Sequence, residues 1–256
     1  PEEVSYRREM SDIQEFLDNR LRRRSARKTM NSGSRKEGFR LKESDVDIML
    51  IIPRHRVIWD MSHSEMYNLQ GQIPILCNTS ESPPGFTLLQ LLTPTTNREV
   101  QLSCVRMNDR VYISCSIYRQ LTCSVVFPNS TVHGPCGSGV LGSIEYDHAH
   151  CFVCDFWPLS ASSWIDRCHS WPPPHVVNDI IRNGCHFVAI GHKLGNHTDN
   201  EWRISFSQAE YKLVCSMNHT QFLTYGLLKL FLKEIINNER LIVISWMNYG
   251  YFIYLI

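Results

Sequence analysis

The sequence has almost no net charge and no long apolar run. Lys and Arg together number 26 and Asp and Glu number 25, which gives a formal net charge of +1 at pH 7. Such a chain has no general attraction for polyanions, so an anionic partner must bind a local basic patch. The apolar stretch 241–256 is shorter than the roughly 20 residues that a membrane-spanning helix needs, and it contains Asn248 and Gly250. We therefore expect no stable membrane span.

Cysteine is too scarce for a disulfide scaffold. There are 10 cysteines among 256 residues, and their spacings follow no recognisable disulfide framework. Unpaired thiols are typical of the reducing cytosol and no signal peptide is visible, so we expect a cytoplasmic protein. With 43% apolar residues, the chain is long enough for one large domain or two lobes with a sizeable core.

A segment near the N-terminus combines a glycine–serine turn with two acids on an apolar strand. It runs from Gly33-Ser34 to Asp45-Val46-Asp47 and predicts a strand over 45–52. Because side chains alternate along a strand, Asp45 and Asp47 face the same side. Two carboxylates are costly to bury there without a partner. Mg²⁺ is a suitable partner because it prefers oxygen ligands. Gly33 and Ser34 could contact the phosphates of a substrate. The alternative is a strand end with two solvated acids.

The N-terminal region predicts a helix with a basic end. Apolar residues recur near helical spacing from Glu3 to Lys28. The last part of this range carries a group of cations: Arg20, Arg22, Arg23, Arg24, Arg27 and Lys28. Cations stabilise a helix C-terminus through the helix dipole, and clustered arginines also bind the phosphate backbone of nucleic acids. The residues alone leave both interpretations open.

The strand-like run 143–158 contains histidines and cysteines that could suggest zinc. The candidate ligands are His148, His150, Cys151 and Cys154. Zinc motifs usually come as two separated ligand pairs, whereas these residues crowd one strand. On that strand Cys151 faces away from the other candidates, so one tetrahedral site could not easily collect them. We therefore expect no structural zinc.

Two helices are predicted in the C-terminal part. Ser207 and Glu210 have the spacing of a capping box, which predicts a helix from Gln208 to about Met217. A second helix is predicted over 221–237, and we expect its apolar stripe to pack in the core. The glycine-rich stretch 133–139 lacks the Gly-Lys-Ser/Thr ending of a phosphate-binding loop and is expected to be a flexible connector.

The glycine–serine segment resembles a known family signature. Its full form is Gly-Ser-x-x-Glu-Gly-x-x-x-x-x-Ser-Asp-x-Asp-x-Met, in which Asp45 stands 11 positions after Ser34. This form is similar to the polymerase-beta-type nucleotidyltransferases, and in particular to the male-abnormal-21 (Mab-21) domain family, which includes cyclic GMP-AMP synthase and its animal relatives. The resemblance extends over about residues 10–240.

The resemblance implies a third acid and a metal. In that family a third carboxylate lies on a strand shortly before a Trp-Pro pair, and here Asp147 stands 10 positions before Trp157-Pro158. Asp45, Asp47 and Asp147 would then hold two Mg²⁺ (or Mn²⁺) ions at an in-line displacement. Gly33 and Ser34 would contact the phosphates of ATP or GTP.

Further binding residues follow from the same resemblance. The segment Trp-Arg-x-Ser-Phe-Ser-x-x-Glu matches the family's acceptor-nucleotide segment and points to Arg203 and Ser205. Lys229 resembles a family lysine that reaches the nucleotide, although it could equally be a solvated lysine. The nucleic-acid-binding face of the family implicates the basic cluster Arg22, Arg23, Arg24, Arg27 and Lys28. The zinc insertion of vertebrate cyclic GMP-AMP synthase is absent, which leaves double-stranded RNA or another nucleic acid as the expected activator.

The expected fold is α/β (α+β), a polymerase-beta-type mixed sheet with flanking helices and a C-terminal helical lobe that is cut short. We divide the chain into a basic helix (1–30), a nucleotidyltransferase core (31–175), the start of the helical lobe (176–240) and an apolar tail (241–256). The expected activity is synthesis of a cyclic dinucleotide or short oligonucleotide after nucleic acid is sensed. The alternative is a catalytically silent scaffold that binds nucleic acid, nucleotide or protein.

Overall fold

The protein is built on one large mixed sheet. The computed structural model describes residues 2–21, 27–39, 45–68, 71–125 and 128–237. The strands in these ranges are β1 Lys28–Ser32, β2 Val46–Ile58, β3 Ile73–Asn78, β4 Phe86–Leu91, β5 Cys104–Met107, β6 Arg110–Ile113, β7 Thr131–His133, β8 Cys136–Leu141, β9 Ile144–Cys154, β10 Cys185–Val188 and β11 Glu201–Ser205. The expected α+β architecture, a mixed sheet with flanking helices, is confirmed.

Helices flank this sheet on the described part of the chain. They are α1 Glu2–Leu21, α2 Gly33–Lys36, α3 Ser64–Asn68, α4 Arg98–Leu102, α5 Cys115–Thr122, α6 Ser162–Asp166, α7 Pro174–Asn183, α8 Ser207–Ser216 and α9 His219–Asn237. Short 3₁₀ turns span Met61–His63 and Leu159–Ala161. Among the described residues, no helix has both the length and the apolarity that a membrane span requires.

Strand β2 organises the sheet because it pairs with two parallel neighbours, β9 and β3, as well as with the antiparallel strand β1. Its first half runs parallel to β9, with Val46 to Ile51 in register with Tyr146 to Cys151. After a register shift at Arg54, whose φ is +61°, its second half runs parallel to β3. Strands β2, β3, β4, β11, β10 and β9 therefore pair in a closed ring. The predicted strand over 45–52 is present, but it continues past Pro53 to Ile58.

The main hydrophobic core lies on the face of β2 and β9 that points away from the acids. Ile52, Phe152 and Trp202 are fully buried there, and Phe152 and Trp202 have ring centroids 5.1 Å apart. The core extends to Tyr118 on α5 and Trp164 on α6. This packing fixes the strands, so the acid-bearing ends of β2 and β9 are held on a rigid support.

The N-terminal helix is shorter than the predicted range 3–28, and the assignment of 1–30 as one helix is wrong at its end. Helix α1 stops at Leu21, and Lys28 begins β1, which pairs antiparallel with β2. The Asn19 side chain accepts a hydrogen bond from the Thr29 backbone N–H (2.8 Å) and donates one to the Thr29 carbonyl (2.7 Å). The backbone around Thr29 is therefore satisfied by the sheet and by Asn19, which explains why the chain leaves the helix.

Two other local predictions are also wrong. The stretch 133–139 is a hairpin between β7 and β8, with Gly134 at φ +57° in the turn, and is not a flexible connector. The capping box at α8 does not form, because the Ser207 hydroxyl lies 2.9 Å from the Ser205 hydroxyl and the N-cap position is Phe206, which makes no side-chain cap. The helix itself is present at Ser207–Ser216.

Helix α9 exposes much of its apolar stripe, contrary to the expectation that this stripe packs in the core. Phe222 is packed, because its ring stacks on Phe39 with centroids 4.4 Å apart. Leu223, Leu227 and Phe231 are 50%, 67% and 61% exposed, respectively. Only one side of the helix therefore contacts the described part of the chain.

Candidate active site

Three carboxylates meet at neighbouring ends of β2 and β9. Asp47 on β2 is in register with Asp147 on the parallel strand β9, and Asp45 directly precedes β2. Their ligand oxygens all lie within 4.8 Å of one another. The sequence indicates the shared face of Asp45 and Asp47 through strand alternation, and the β2–β9 pairing adds Asp147 to that face.

The electrostatics of this acid cluster fit a divalent cation. Burial, together with the negative charges of Asp45 and Asp147, raises the pKa of Asp47 to about 7, although the positive charge of Lys229 acts in the opposite direction. Three oxygen donors that repel one another are the ligand set that a hard cation such as Mg²⁺ or Mn²⁺ stabilises. The residues present thus fit a divalent metal.

The glycine–serine turn lies directly against the acids. Gly33 follows β1 with a φ of +70°, and a Cβ atom at this position would be 1.8 Å from Oδ2 of Asp47. No residue with a side chain fits this close approach without displacing Asp47. Ser34 follows in α2, and its carbonyl accepts a hydrogen bond from the Phe39 N–H (2.9 Å). The turn therefore places Ser34 directly after the residue that contacts Asp47.

Lys229 reaches the same turn from α9. Its ammonium donates a hydrogen bond to the Ser34 hydroxyl at 3.2 Å and forms an ion pair with Glu37. Its charge also lowers the pKa of Asp47. Lys229 thus contacts Ser34 and Glu37, and its contact with a nucleotide stays a prediction.

Arg203 and Ser205 lie on β11, on the other side of the ring from β2. Arg203 is in register with Val188. Val188 packs with Met49, Ala149 and Cys151, which follow the acids along β2 and β9. Burial raises the pKa of the Cys136 thiol, the negative charges of Asp147 and Asp47 also raise it, and the positive charge of Arg203 acts in the opposite direction. Arg203 and two of the acids therefore lie near the same thiol, and the role of Arg203 in binding a nucleotide stays a prediction.

Glu210 is a site residue to which the sequence assigned only a capping role. Burial and the negative charge of Glu37 together raise the pKa of Glu210 to about 7, although the positive charges of Lys229 and Arg203 act in the opposite direction. Glu210 therefore interacts electrostatically with both Lys229 and Arg203. Glu37 was assigned no role at all. The sequence motifs could have indicated both glutamates. Glu37 lies within the glycine–serine segment, and Glu210 ends the segment that contains Arg203.

The predicted nucleic-acid-binding residues are only partly within the described structure. Arg22, Arg23 and Arg24 lie outside the described residues. Arg27 forms an ion pair with Glu99 (2.9 Å), and Lys28 is exposed at the start of β1. The two described cations therefore do not lie on one helix face, because the helix ends before them.

The histidines of β9 are buried on the side of the sheet opposite the acids. The His148 Nε2 atom lies 3.1 Å from the Cys123 carbonyl, and burial lowers the pKa of His150 to about 3. Both side chains therefore belong to the interior beneath α5. All ten cysteines are free thiols.

A mixed sheet that carries a carboxylate triad beside a glycine–serine turn defines the nucleotidyltransferase class. Residues 88–215, half of the chain, match the family model described as the Mab-21 protein nucleotidyltransferase domain, and the chain belongs to this family. The matched range contains Asp147, Arg203 and Ser205. The turn, Asp45, Asp47 and Lys229 lie outside it, and the fold brings them to the same site. A comparison with curated proteins found no significant match.

Proposed function

We propose that the protein is a Mg²⁺- or Mn²⁺-dependent nucleotidyltransferase that joins ATP and/or GTP into a cyclic dinucleotide or a short oligonucleotide. One observation carries this proposal: the carboxylates of Asp45, Asp47 and Asp147 lie within 4.8 Å of one another. They converge directly beside Gly33. Mutually repelling acids at a strand end are expected to bind metal and not to stabilise the fold by themselves.

Each part of the site has a role in nucleotidyl transfer. A bound divalent cation neutralises the triphosphate and lowers the pKa of the attacking hydroxyl. The three acids hold the ions, and the Ser34 hydroxyl and the Lys229 ammonium contact the donor phosphates. Arg203 and Ser205 bind the acceptor nucleotide, so that its hydroxyl is aligned for attack on the α-phosphate with pyrophosphate as the leaving group.

Nucleic acid is the proposed activator. The supporting observation is the basic cluster at residues 20–28, since the net charge of +1 provides no other general attraction for a polyanion. Lys28 is exposed, whereas Arg27 must exchange Glu99 for a phosphate in order to bind one. Binding of this kind recognises the phosphate backbone and the shape of the nucleic acid, and its affinity falls as the salt concentration increases.

Metal-dependent nucleotide binding tests the site. We expect the protein to bind ATP or GTP when Mn²⁺ is present and to lose most of this affinity in EDTA. Asp45→Asn should abolish the metal dependence, because one of three ligands is lost. Asp179→Asn, which removes an exposed acid paired with Lys212, is the control and should bind as the wild type does. Equal nucleotide binding with and without metal would contradict the proposal.

The second candidate is a family member that binds a partner without turnover. The exposed apolar side chains of α1 and α9 favour it, because Phe16, Leu17 and Leu227 are 60%, 49% and 67% exposed. Such a scaffold is indifferent to Asp45→Asn, so the same titration separates the two candidates.

A further inference from the structure

Glu37 is a buried carboxylate for which nucleotidyl transfer has so far supplied no role. It is 5% exposed and directly follows α2, the short helix that begins at the glycine–serine turn. Its backbone is fixed on both sides: its N–H donates to the Gly33 carbonyl (3.2 Å), and its carbonyl accepts from Nε of Arg8 (2.8 Å). The carboxylate is therefore held at a set position relative to the turn.

The carboxylate of Glu37 is directed at α9. One of its oxygens accepts hydrogen bonds from the Lys229 ammonium and from the Tyr225 hydroxyl (3.4 Å). Lys229 and Tyr225 are four residues apart on α9, so they share a face of the helix. The Lys229 ammonium also lies 4.8 Å from the Tyr225 ring centroid and 5.5 Å from that of Phe39. A carboxylate and two aromatic rings thus enclose the ammonium on one side.

The other side of the ammonium faces the turn. Lys229 Nζ is 3.2 Å from the Ser34 hydroxyl. A lysine ammonium has three donors, and Glu37 and Ser34 engage two of them. The remaining donor can reach a phosphate oxygen bound at Ser34. Lysine has a long, flexible side chain, and ordering it during binding costs entropy unless the protein has already fixed it.

We infer that Glu37 is a positioning residue, which holds the Lys229 ammonium against Ser34 so that it is ready to contact the phosphates of the nucleotide. This inference rests on the proposed function, because it assigns the donor phosphates to the glycine–serine turn. Glu37 itself touches no substrate. It acts through Lys229, and it also joins α9 to the turn, because its carboxylate accepts hydrogen bonds from both Lys229 and Tyr225.

The test is a titration of the full chain with ATP and, separately, with adenosine, both with Mg²⁺ and followed by nuclear magnetic resonance. Glu37→Gln keeps the size of the side chain and removes its charge. We expect this variant to bind ATP about tenfold more weakly, the loss typical of one hydrogen bond to a charged group. Adenosine should bind as it does to the wild type, because it has no phosphate for Lys229 to contact.

Two further variants distinguish positioning from a general structural effect. Lys229→Met should weaken ATP binding, and adding Glu37→Gln to it should cause no further loss, since Glu37 acts only through Lys229. Glu99→Gln removes the carboxylate of another partly buried ion pair, with Arg27, and should leave ATP binding unchanged. Should Glu37→Gln fail to fold, Glu37→Asp keeps the charge, shortens the reach and should weaken ATP binding with the same selectivity.

Several outcomes would overturn the inference. Equal weakening of ATP and adenosine binding, or a further loss in the Lys229→Met background, would make Glu37 a purely structural residue. Tighter ATP binding by Glu37→Gln would mean that Glu37 competes with phosphates for Lys229. If Glu37→Gln bound ATP with the affinity of the wild type, the positioning role would be wrong, whereas the proposed function would be unaffected. Failure of the wild type to bind ATP with metal would instead remove the proposed function, and the positioning role with it.

Discussion

Gly33 is the site residue whose identity the structure constrains most tightly. Its φ of +70° is costly for any other residue, and a Cβ atom would be 1.8 Å from Asp47. We expect Gly33→Ala to weaken Mn²⁺ binding strongly and to lower the free energy of unfolding by about 2–4 kcal/mol, the sum of backbone strain and displaced packing. Metal titration and urea unfolding measure the two effects.

Gly142 provides the matched control for that substitution. Its φ is +65° and a Cβ atom there would meet no atom within 4 Å. Gly142→Ala should therefore cost only the backbone strain, about 1–2 kcal/mol, and leave metal binding unchanged. If both variants lost the same stability and bound Mn²⁺ equally well, the close approach of Gly33 to Asp47 would not be what the site requires.

Asp47 gives the site a pH dependence with a definite sign. Its folded-state pKa of about 7 lies above the ordinary value of 3.8, so folding favours the neutral carboxyl. Without metal, the neutral Asp47 carboxyl contributes to the free energy of unfolding at low pH, and this contribution is lost as the pH rises from 3.8 to about 7. We expect the melting temperature in EDTA to fall from pH 5 to pH 8 more steeply in the wild type than in Asp47→Asn.

Metal reverses this trend. Because a bound cation stabilises the ionised carboxylate, Mn²⁺ should raise the melting temperature more at pH 8 than at pH 5. Burial raises the pKa of Glu210 to about 7 as well, so the informative quantity is the difference between the wild type and Asp47→Asn. Parallel melting curves for the two proteins across this pH range would contradict the assignment.

Helix α1 is attached to the molecule through its polar side. Arg8 donates to the Glu37 carbonyl, Asp12 and Glu15 bind the buried ammonium of Lys36, and Asn19 pairs with the Thr29 backbone. Most of the apolar residues of the helix, such as Phe16 and Leu17, are exposed, and in the described structure none of its residues is buried. Hydrogen bonds and ion pairs, and not apolar burial, therefore determine where α1 lies.

Asn19 links α1 to the start of β1 through the Thr29 backbone. We expect Asn19→Ala to lower the free energy of unfolding by about 1–3 kcal/mol, because the N–H and carbonyl of Thr29 lose their partners. Gln14→Ala, at an exposed position on the same helix, should change it by less than about 0.5 kcal/mol. Equal effects of the two substitutions in chemical denaturation would show that Asn19 does not hold the start of β1.

The sequence predicted those elements whose apolar pattern is local. The alternation around Asp45 and Asp47 was enough for the first half of β2. Its extension past Pro53 was not predictable, because a proline usually ends a strand, whereas here β2 changes partner from β9 to β3. The prediction of a helix over 3–28 was wrong at its end for a similar reason, because Lys28 pairs with β2 and therefore lies in a strand.

For the molecule as a whole, the candidate site joins parts of the chain that are far apart in sequence. The family resemblance indicated Asp147 and Lys229, but the contact of Lys229 with Glu37 and Ser34 arises only when α9 lies against the turn. No local pattern encodes such a contact. The exposed side of α9 was also unpredictable, because periodicity shows that a helix has an apolar face but not what covers that face.

Nucleotidyl transfer itself is the most direct test of this account. The wild type and Asp147→Asn are incubated with all four nucleoside triphosphates and Mg²⁺ or Mn²⁺, with and without long double-stranded RNA or DNA, and the products are separated by charge and mass. We predict a phosphatase-resistant product from ATP and/or GTP that needs metal and nucleic acid and is lost in Asp147→Asn. Absence of any product under all of these conditions, or a product that survives in Asp147→Asn, would contradict the account.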